Sequence, residues 1–306
     1  MTIVKTCGKL YWAGEYAILE PGQLALIKAI PIYMTAEIES SEVYRLYSDM
    51  FTYSVDMRPD SSYALIQETV ALVEDYLTSQ GVDLRPFSID IHGKMERQGK
   101  KFGLGSSGSV VVLVIKAMLA FYDRPAERDL LFKLASAVLL KRGDNGSMGD
   151  IACIVSEDLV LYQSFDREKV AQWLEKEDLP TVLARDWGFS IRNVEPTLDF
   201  DFLVGWTKEV AVSSHMVKQI KKNMNASFLQ ASKETVISLV KALEADHEET
   251  IIALLEQASQ LLEGLSSDIY TPSLRQLKNA SHDLKAVAKS SGAGGGDCGI
   301  ALSFDQ

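Results

Sequence analysis

The chain has 306 residues, 47% of them hydrophobic and 24% charged, with a net charge of -11. That length sits at the upper limit of a single core, roughly 250–300 residues, so two domains are expected. The acidic balance argues against a nucleic-acid or anionic-membrane binder, and any anionic small molecule must be met by a local gathering of Lys, Arg and backbone N–H groups.

Pro31 to Ile38 is rich in β-branched and aromatic residues and predicts a strand, with Tyr44 to Ser48 as its pairing partner. Leu65, Ile66, Val70, Val73 and Leu77 recur at helical spacing. Phe87, Ile89 and Ile91 alternate with Ser88, Asp90 and His92, the pattern of a strand with one buried face. A basic, glycine-punctuated loop runs from Gly93 to Gly108, and an apolar helix follows from about Ser109 to Phe121. Leu130, Leu131, Leu134, Val138 and Leu139 mark another helix, while Ile151 to Val155 and Leu159 to Tyr162 read as a hairpin. The polar segment Asp186 to Asp201, with Pro196 inside it, places the domain boundary at 195/196. Residues 1–195 then form the first domain and residues 196–306 the second.

Phe202 to Trp206 opens the second domain as a strand. Val236, Leu239, Val240 and Leu243 follow the i, i+3, i+4, i+7 rule, as do Ile251, Leu254, Leu255, Ala258 and Leu262. Thr271-Pro272 is a helix start, an N-cap followed by proline. That helix is expected to present Leu274, Leu277, Leu284 and Val287 on one side and to end in the glycine run Ser290 to Gly296. Gly299 to Phe304 is the last strand. The pattern is α+β in two domains.

The three cysteines (Cys7, Cys153, Cys298) are odd in number and sparse, so no disulfide framework is expected. The four histidines (His92, His215, His247, His282) form no ligand-spaced pair for a structural zinc. His215, in a polar loop, reads as a solvated or capping residue. The start Met1 to Lys5 does not resemble a signal peptide. The apolar stretch Val110 to Phe121, broken by Lys116, falls short of the roughly 20 residues a membrane span needs. A cytoplasmic, reducing setting without membrane or nucleic-acid partners is the expectation.

The strongest local signal is Gly103-Leu104-Gly105-Ser106-Ser107-Gly108, followed at once by a long helix. Glycines let backbone approach a ligand, the helix start supplies unpaired N–H groups and the positive end of a dipole, and serine hydroxyls can donate to phosphate or ligate Mg²⁺. Together these make a triphosphate cradle. The segment also matches G-x-G-x-x-G, but it lies far from the nearest strand and lacks the downstream acid of a dinucleotide fold. Gly8-Lys9-Leu10 lacks the Ser/Thr of a Walker A loop. A plain helix-capping turn is the bland alternative. A second glycine loop spans Cys7 to Tyr16 and holds Lys9; a third spans Ser290 to Gly296 and ends in Asp297.

These three loops, Cys7 to Glu20, Lys101 to Val112 and Lys289 to Leu302, resemble in order the three motifs of the GHMP kinase superfamily. Gly8 to Gly22 and Gly205 to Ser214 are similar to the phosphomevalonate kinase branch, the latter with departures at Lys208 and Val212; the second motif departs at Phe102 and Gly108. The resemblance implies an N-terminal α/β domain beside a C-terminal ferredoxin-like domain, with the active site in the cleft between them. It implies that ATP, with Mg²⁺, phosphorylates 5-phosphomevalonate to 5-diphosphomevalonate. Mevalonate kinase activity, or a ligand sensor without turnover, is the alternative; a sensor would be expected to lose Lys9 or Asp150. On this resemblance Gly103, Leu104, Gly105, Ser106, Ser107 and Gly108 hold the nucleotide phosphates, and Ser107 is the metal ligand. Glu15 is a weak candidate for the accompanying carboxylate. Lys9 faces the transferring phosphoryl group. Asp150, in Gly146 to Asp150, stands where the family has its proposed base, although an acid there can simply cap a turn. Lys101, Arg142, Ser147, Ser213, Ser214, Ser291, Gly292 and Ala293 are the candidates for binding the phosphorylated acceptor. Lys141, Arg142, Gly143 and Gly146 are expected to make an anion-facing loop beside Asp150. Neither Cys7 nor Cys298 has a histidine nearby, so a nucleophilic thiol is not expected.

Overall fold

The computed structural model describes residues 1–97, 99–209, 220 and 222–305. The expected Ser213, Ser214 and His215 lie outside the described residues. β1 (Thr2–Ala13) and β2 (Leu24–Ser40) form a long antiparallel pair. β2 begins at Leu24, well before the predicted strand start at Pro31. Pro31 lies where the ladder jumps from Gly8↔Ile30 to Cys7↔Tyr33. Proline has no N–H to give the ladder, so it sits at the irregularity rather than at a strand start.

β3 (Arg45–Ser48), β4 (Ser54–Val55), β5 (Phe87–His92), β8 (Leu159–Gln163) and β9 (Ser190–Asn193) complete a seven-stranded sheet with the order β4-β3-β5-β2-β8-β9, β1 pairing β2. The expectation that Tyr44 to Ser48 pairs with β2 is corrected: β3 runs parallel to β5, and β5 takes the place beside β2. β6 (Glu96–Arg97) and β7 (Lys100–Lys101) make a small hairpin.

Helices α1 (Ala64–Ser79), α2 (Ser106–Phe121), α3 (Arg128–Lys141) and α4 (Gly149–Ser156) pack together, and α2 also covers β1 and β2. α2 is apolar nearly all round, as a helix enclosed by protein must be; residues Val111 to Ile115 are fully buried. Among the described residues no helix is long and apolar enough to cross a membrane. α5 (Arg167–Lys176) and α6 (Leu179–Ala184) lead back to β9.

The hairpin predicted at residues 151–162 is corrected. Its first arm is α4, because Ile151, Ala152, Cys153 and Ile154 are buried on every side. A short, wholly buried apolar run carries no period that separates helix from strand.

In the C-terminal half, β10 (Asp201–Trp206), β11 (Ala286–Ser290) and β12 (Cys298–Ser303) form an antiparallel sheet of order β10-β12-β11. α7 (Ala226–Leu243), α8 (Glu248–Leu265) and α9 (Pro272–Asn279) accompany it. Thr271 caps α9 as predicted, its hydroxyl accepting from Leu274 N–H at 3.3 Å. But α9 stops at Asn279, and Ala286 to Ser290 is a strand rather than its continuation. Leu284 is exposed, while Val287 is buried within β11. One apolar core runs through both halves: the Trp12 ring on β1 lies 5.7 Å from Phe200 and 5.4 Å from Phe202.

Candidate active site

Three pieces of chain converge where β1, α2 and α4 meet. β1 brings Lys9, a buried lysine at 9% exposure, whose Nζ donates to Gly103 O at 3.3 Å and lies 5.4 Å over the Tyr11 ring. Its backbone N–H donates to Leu104 O at 3.0 Å, fastening the loop to the strand. The Ser109 hydroxyl donates to Cys7 O at 2.7 Å, and the Thr6 hydroxyl to Ser109 O at 3.2 Å. These bonds fix the start of α2 against β1.

The helix begins at Ser106, three residues earlier than its apolar period indicates, so both loop serines lie in its first turn. Gly105 is its N-cap, in the left-handed conformation at φ 82°. A Cβ there would lie 2.9 Å from Lys9 Cε and 3.5 Å from Asp150 Cβ. Gly105 thus sits between the lysine and the aspartate. Gly105→Val would put a β-branched side chain at a positive φ, where it is strained, and push Lys9 away. We expect the variant to keep its circular dichroism spectrum and lose measurable ATP binding by calorimetry; normal affinity in the folded variant removes this loop from the site.

α4 brings Asp150 in its first turn, after Met148 in the left-handed conformation at φ 62°. A non-glycine residue held there is uncommon, and such strain clusters at functional loops. Met148 is buried, which pins the turn. A Cβ on Gly108 would lie 2.8 Å from Asp150 Oδ2, so the carboxylate touches the first turn of α2. Burial raises the Asp150 carboxyl above its ordinary value; the attraction of Lys9 and the Ile151 N–H act the other way without cancelling it.

Between the ordinary and the raised value, the folded chain keeps a proton that the unfolded chain has released. Stability contributed by Asp150 therefore falls as pH rises through that window and stays lost above it. Asp150→Asn removes that loss. We expect the variant to melt above the wild type near neutral pH, with the gap narrowing as pH falls toward the ordinary carboxylate range; a lower melting temperature at neutral pH contradicts this.

Ser147 joins the cluster. Its Oγ is 3.0 Å from the Tyr11 hydroxyl, and its carbonyl accepts from the Tyr162 hydroxyl at 2.9 Å. The third loop reaches the same strand: the Ser291 hydroxyl donates to Tyr11 O at 2.9 Å, and the Tyr16 hydroxyl donates to Ala293 O at 2.5 Å. Gly292, at φ 80°, and the exposed Ala293 form the crest of that loop.

Two family descriptions match the chain: the GHMP kinases N terminal domain over residues 64–157, and the GHMP kinases C terminal over residues 239–306. A solved structure of the Streptococcus pneumoniae phosphomevalonate kinase, in complex with phosphomevalonate and AMPPNP, is 74% identical, with TM-score 0.98 over 100% of this chain and 93% of that one. The chain belongs to the GHMP kinases. A phosphomevalonate kinase from a Streptomyces species is 29% identical, covering 98% of this chain and 90% of that protein. The Methanococcus jannaschii mevalonate kinase shares the fold at 20% identity and TM-score 0.74, over 99% of this chain and 90% of that one.

Several expectations for this GHMP kinase need correction. Arg142 is not brought to the cluster: its guanidinium pairs with Glu68 on α1. With Lys141 it lines a surface groove of about 550 Å³ between α1 and α3. The end of α3 points these cations outward, so the anion-facing loop expected beside Asp150 is not built from them.

Lys101 lies on β7 at the rim of a different cleft, of about 210 Å³, walled by Met34, Met50, Phe51, Ile66, Met95 and Val110 and reaching Ser106 and Ser107. That places Lys101 beside the Gly103 to Gly108 loop. The Ser291 hydroxyl is buried and already donates to Tyr11 O, so its proton is committed to the fold.

Glu15 is not a free carboxylate for a metal, because it forms a buried ion pair with Lys289, Oε1 to Nζ 2.5 Å. Lys289 entered the sequence reading only as the start of the third motif, not as the partner of Glu15. The available signal was a lone lysine inside the strand-forming run Ala286 to Ser290. Tyr11 and Tyr16, which hold Ser147 and the third loop, were also missed as positioning residues, although both stand inside the first glycine motif.

The cysteines behave as expected: burial pushes the Cys7 thiol up to about 11 and the Cys298 thiol up to about 12, and Cys153 is also raised. No ready thiolate exists among them.

Among the described residues no group of three or more His, Cys, Asp or Glu is arranged to hold a metal ion. A site of one hydroxyl and one carboxylate suits Mg²⁺, which keeps most of its shell from phosphates and water and takes only one or two carboxylates from protein. Ser107 and Asp150 lie on facing first turns of α2 and α4.

Proposed function

We infer that this chain transfers the γ-phosphoryl group of ATP to the phosphate of 5-phosphomevalonate, giving ADP and 5-diphosphomevalonate. The observation that carries this reading is the meeting of Lys9, the Gly103–Gly108 loop and Asp150 at one point. It occurs in a chain 74% identical to a phosphomevalonate kinase. In the step, an oxygen of the acceptor phosphate forms the new bond to the γ-phosphorus, and the bond to the β–γ bridging oxygen breaks with its electrons going to ADP.

The apolar cleft beside Ser106 and Ser107 suits a flat purine, and the first turn of α2 offers N–H groups to the phosphates. Ser107 and Asp150 would hold Mg²⁺, which would supply further neutralisation of the phosphate charge. Lys9, anchored to Gly103 O, stands where the two anions approach. Ser147, Gly292 and Ala293 surround the acceptor side, with Ser213 and Ser214 proposed from sequence alone. We place the domain division near residue 195, because β9 belongs to the seven-stranded sheet and β10 to the C-terminal sheet. A cytoplasmic setting is proposed, in keeping with three cysteines that are all free thiols.

The test is ADP release, followed in a coupled assay, with phosphomevalonate, mevalonate and galactose. A site built for a phosphate leaves buried donors unpaired when the phosphate is missing. We expect kcat/KM for phosphomevalonate to exceed that for mevalonate by about 10³-fold. Comparable rates with mevalonate overturn the assignment.

A further inference from the structure

The phosphate loop is held from both sides, and the second hold comes from the C-terminal half. Phe102, immediately before Gly103, packs its ring edge-on against Trp206 at the end of β10, with centroids 4.8 Å apart and planes at 90°. Its carbonyl accepts from the Cys298 thiol at 3.1 Å, at the start of β12. Its N–H donates to Met95 O at 3.0 Å, and Met95 walls the apolar cleft. One residue therefore bonds to a wall of the apolar cleft, adjoins the phosphate loop and packs on the C-terminal sheet.

Contact continues beyond Trp206. Thr207 N–H donates to Asp297 O at 2.9 Å, and Asp297 N–H donates to Glu209 O at 2.8 Å. Asp297 closes the glycine run that begins at Ser291. A Cβ on Gly103 would lie 2.5 Å from Asp297 Oδ2, so that side chain lies flat against the loop from the same direction. The Trp206 ring is partly buried, and its Nε1, though enclosed, has no hydrogen-bond partner among the described residues. That ring is held against Phe102.

We propose that Phe102 is a positioning residue: through Trp206 it makes the placement of the ATP phosphate loop depend on the C-terminal half that carries the acceptor-side glycine loop. This rests on reading Gly103 to Gly108 as the ATP loop. The consequence is reciprocal coupling: nucleotide binding tightens acceptor binding by a factor, and acceptor tightens nucleotide by the same factor.

Calorimetry on the full chain tests it, with AMPPNP titrated in the presence and absence of phosphomevalonate, for the wild type, Phe102→Ala, Phe102→Tyr, Trp206→Leu and the double variant. An aromatic pair corresponds to about a threefold to tenfold change in an equilibrium constant. Phe102→Ala and Trp206→Leu should each reduce the coupling factor by that much and raise KM for ATP, with kcat at saturation within about threefold of wild type. The double variant should lose no more than either single one, and Phe102→Tyr, which keeps the ring, should match wild type.

A merely structural role would lower the melting temperature and leave the coupling factor and the ratio of KM to kcat effects unchanged. That outcome, or additive losses in the double variant, overturns the proposal. A wild-type chain that fails to bind AMPPNP overturns the ATP-loop reading instead.

Discussion

Lys9→Ala is expected to lower kcat by about 10³-fold or more with the fold retained, by analogy with other cations that neutralise charge in phosphoryl transfer. The reaction brings two polyanions together. At ~4 Å, unit like charges repel by ~1–4 kcal/mol at the dielectric of water or of a protein surface, and each phosphate carries more than one charge. The cation that opposes this must be placed in advance. Lys9 is buried, anchored to Gly103 O, and pressed beside Gly105. Its Nζ cannot wander without leaving the loop.

The acceptor needs no base. A phosphate monoester has a second pKa of about 6 and is mostly dianionic at neutral pH. Asp150→Asn should therefore keep more activity than Lys9→Ala, the proposed part of the aspartate being to orient Lys9 or the substrate. Steady-state kinetics on the three proteins, with circular dichroism as the folding control, checks the order. A Lys9→Ala enzyme within about tenfold of wild type would remove the lysine from the reaction coordinate.

Lys289→Met should cost about 3–5 kcal/mol of folding stability in a urea titration, the range for truncating one partner of a buried ion pair. The side chains of Lys289 and Glu15 are 1% and 3% exposed. The Lys289 Nζ also donates to Ser290 O at 2.6 Å. Removing the ammonium strands the Glu15 carboxylate in a site where water cannot replace its partner. The pair joins the end of the first glycine motif to β11, so its loss should also loosen the third loop.

Replacing both partners, as Glu15→Gln with Lys289→Met, should recover most of the loss, since neutral groups of similar size avoid the stranded charge. A single-variant cost below about 1 kcal/mol, the value for exposed pairs, would show that the pair is solvated in solution.

The geometry of the Gly103 to Gly108 loop was legible in sequence because its demands are local. Gly105 has to occupy a left-handed N-cap, Ser106 and Ser107 must follow it in the first turn, and these demands leave a pattern six residues long. Lys9 was legible for the same reason, as a lone cation between glycines. Arg142 was not, because its direction depends on where α3 ends against Glu68 of α1, which no local pattern encodes. Lys289 needed a partner 274 positions away before its burial made sense. Asp150 was found while its element was misread: an acid before a buried apolar run looks alike whether it caps a strand or opens a helix. The distinction matters chemically, because the first turn of α4 faces the first turn of α2.

The pH dependence of kcat/KM for phosphomevalonate, measured side by side in the wild type and Asp150→Asn, tests the claim of charge-assisted transfer between phosphates most directly. If the acceptor phosphate supplies its own nucleophile, activity falls on the acid side as that phosphate takes up a proton near its second pKa of about 6. Both enzymes then show the same acid limb, the variant at a lower plateau. If the limb disappears in Asp150→Asn, or if that variant is less active than Lys9→Ala, Asp150 removes a proton in the reaction and the account is contradicted.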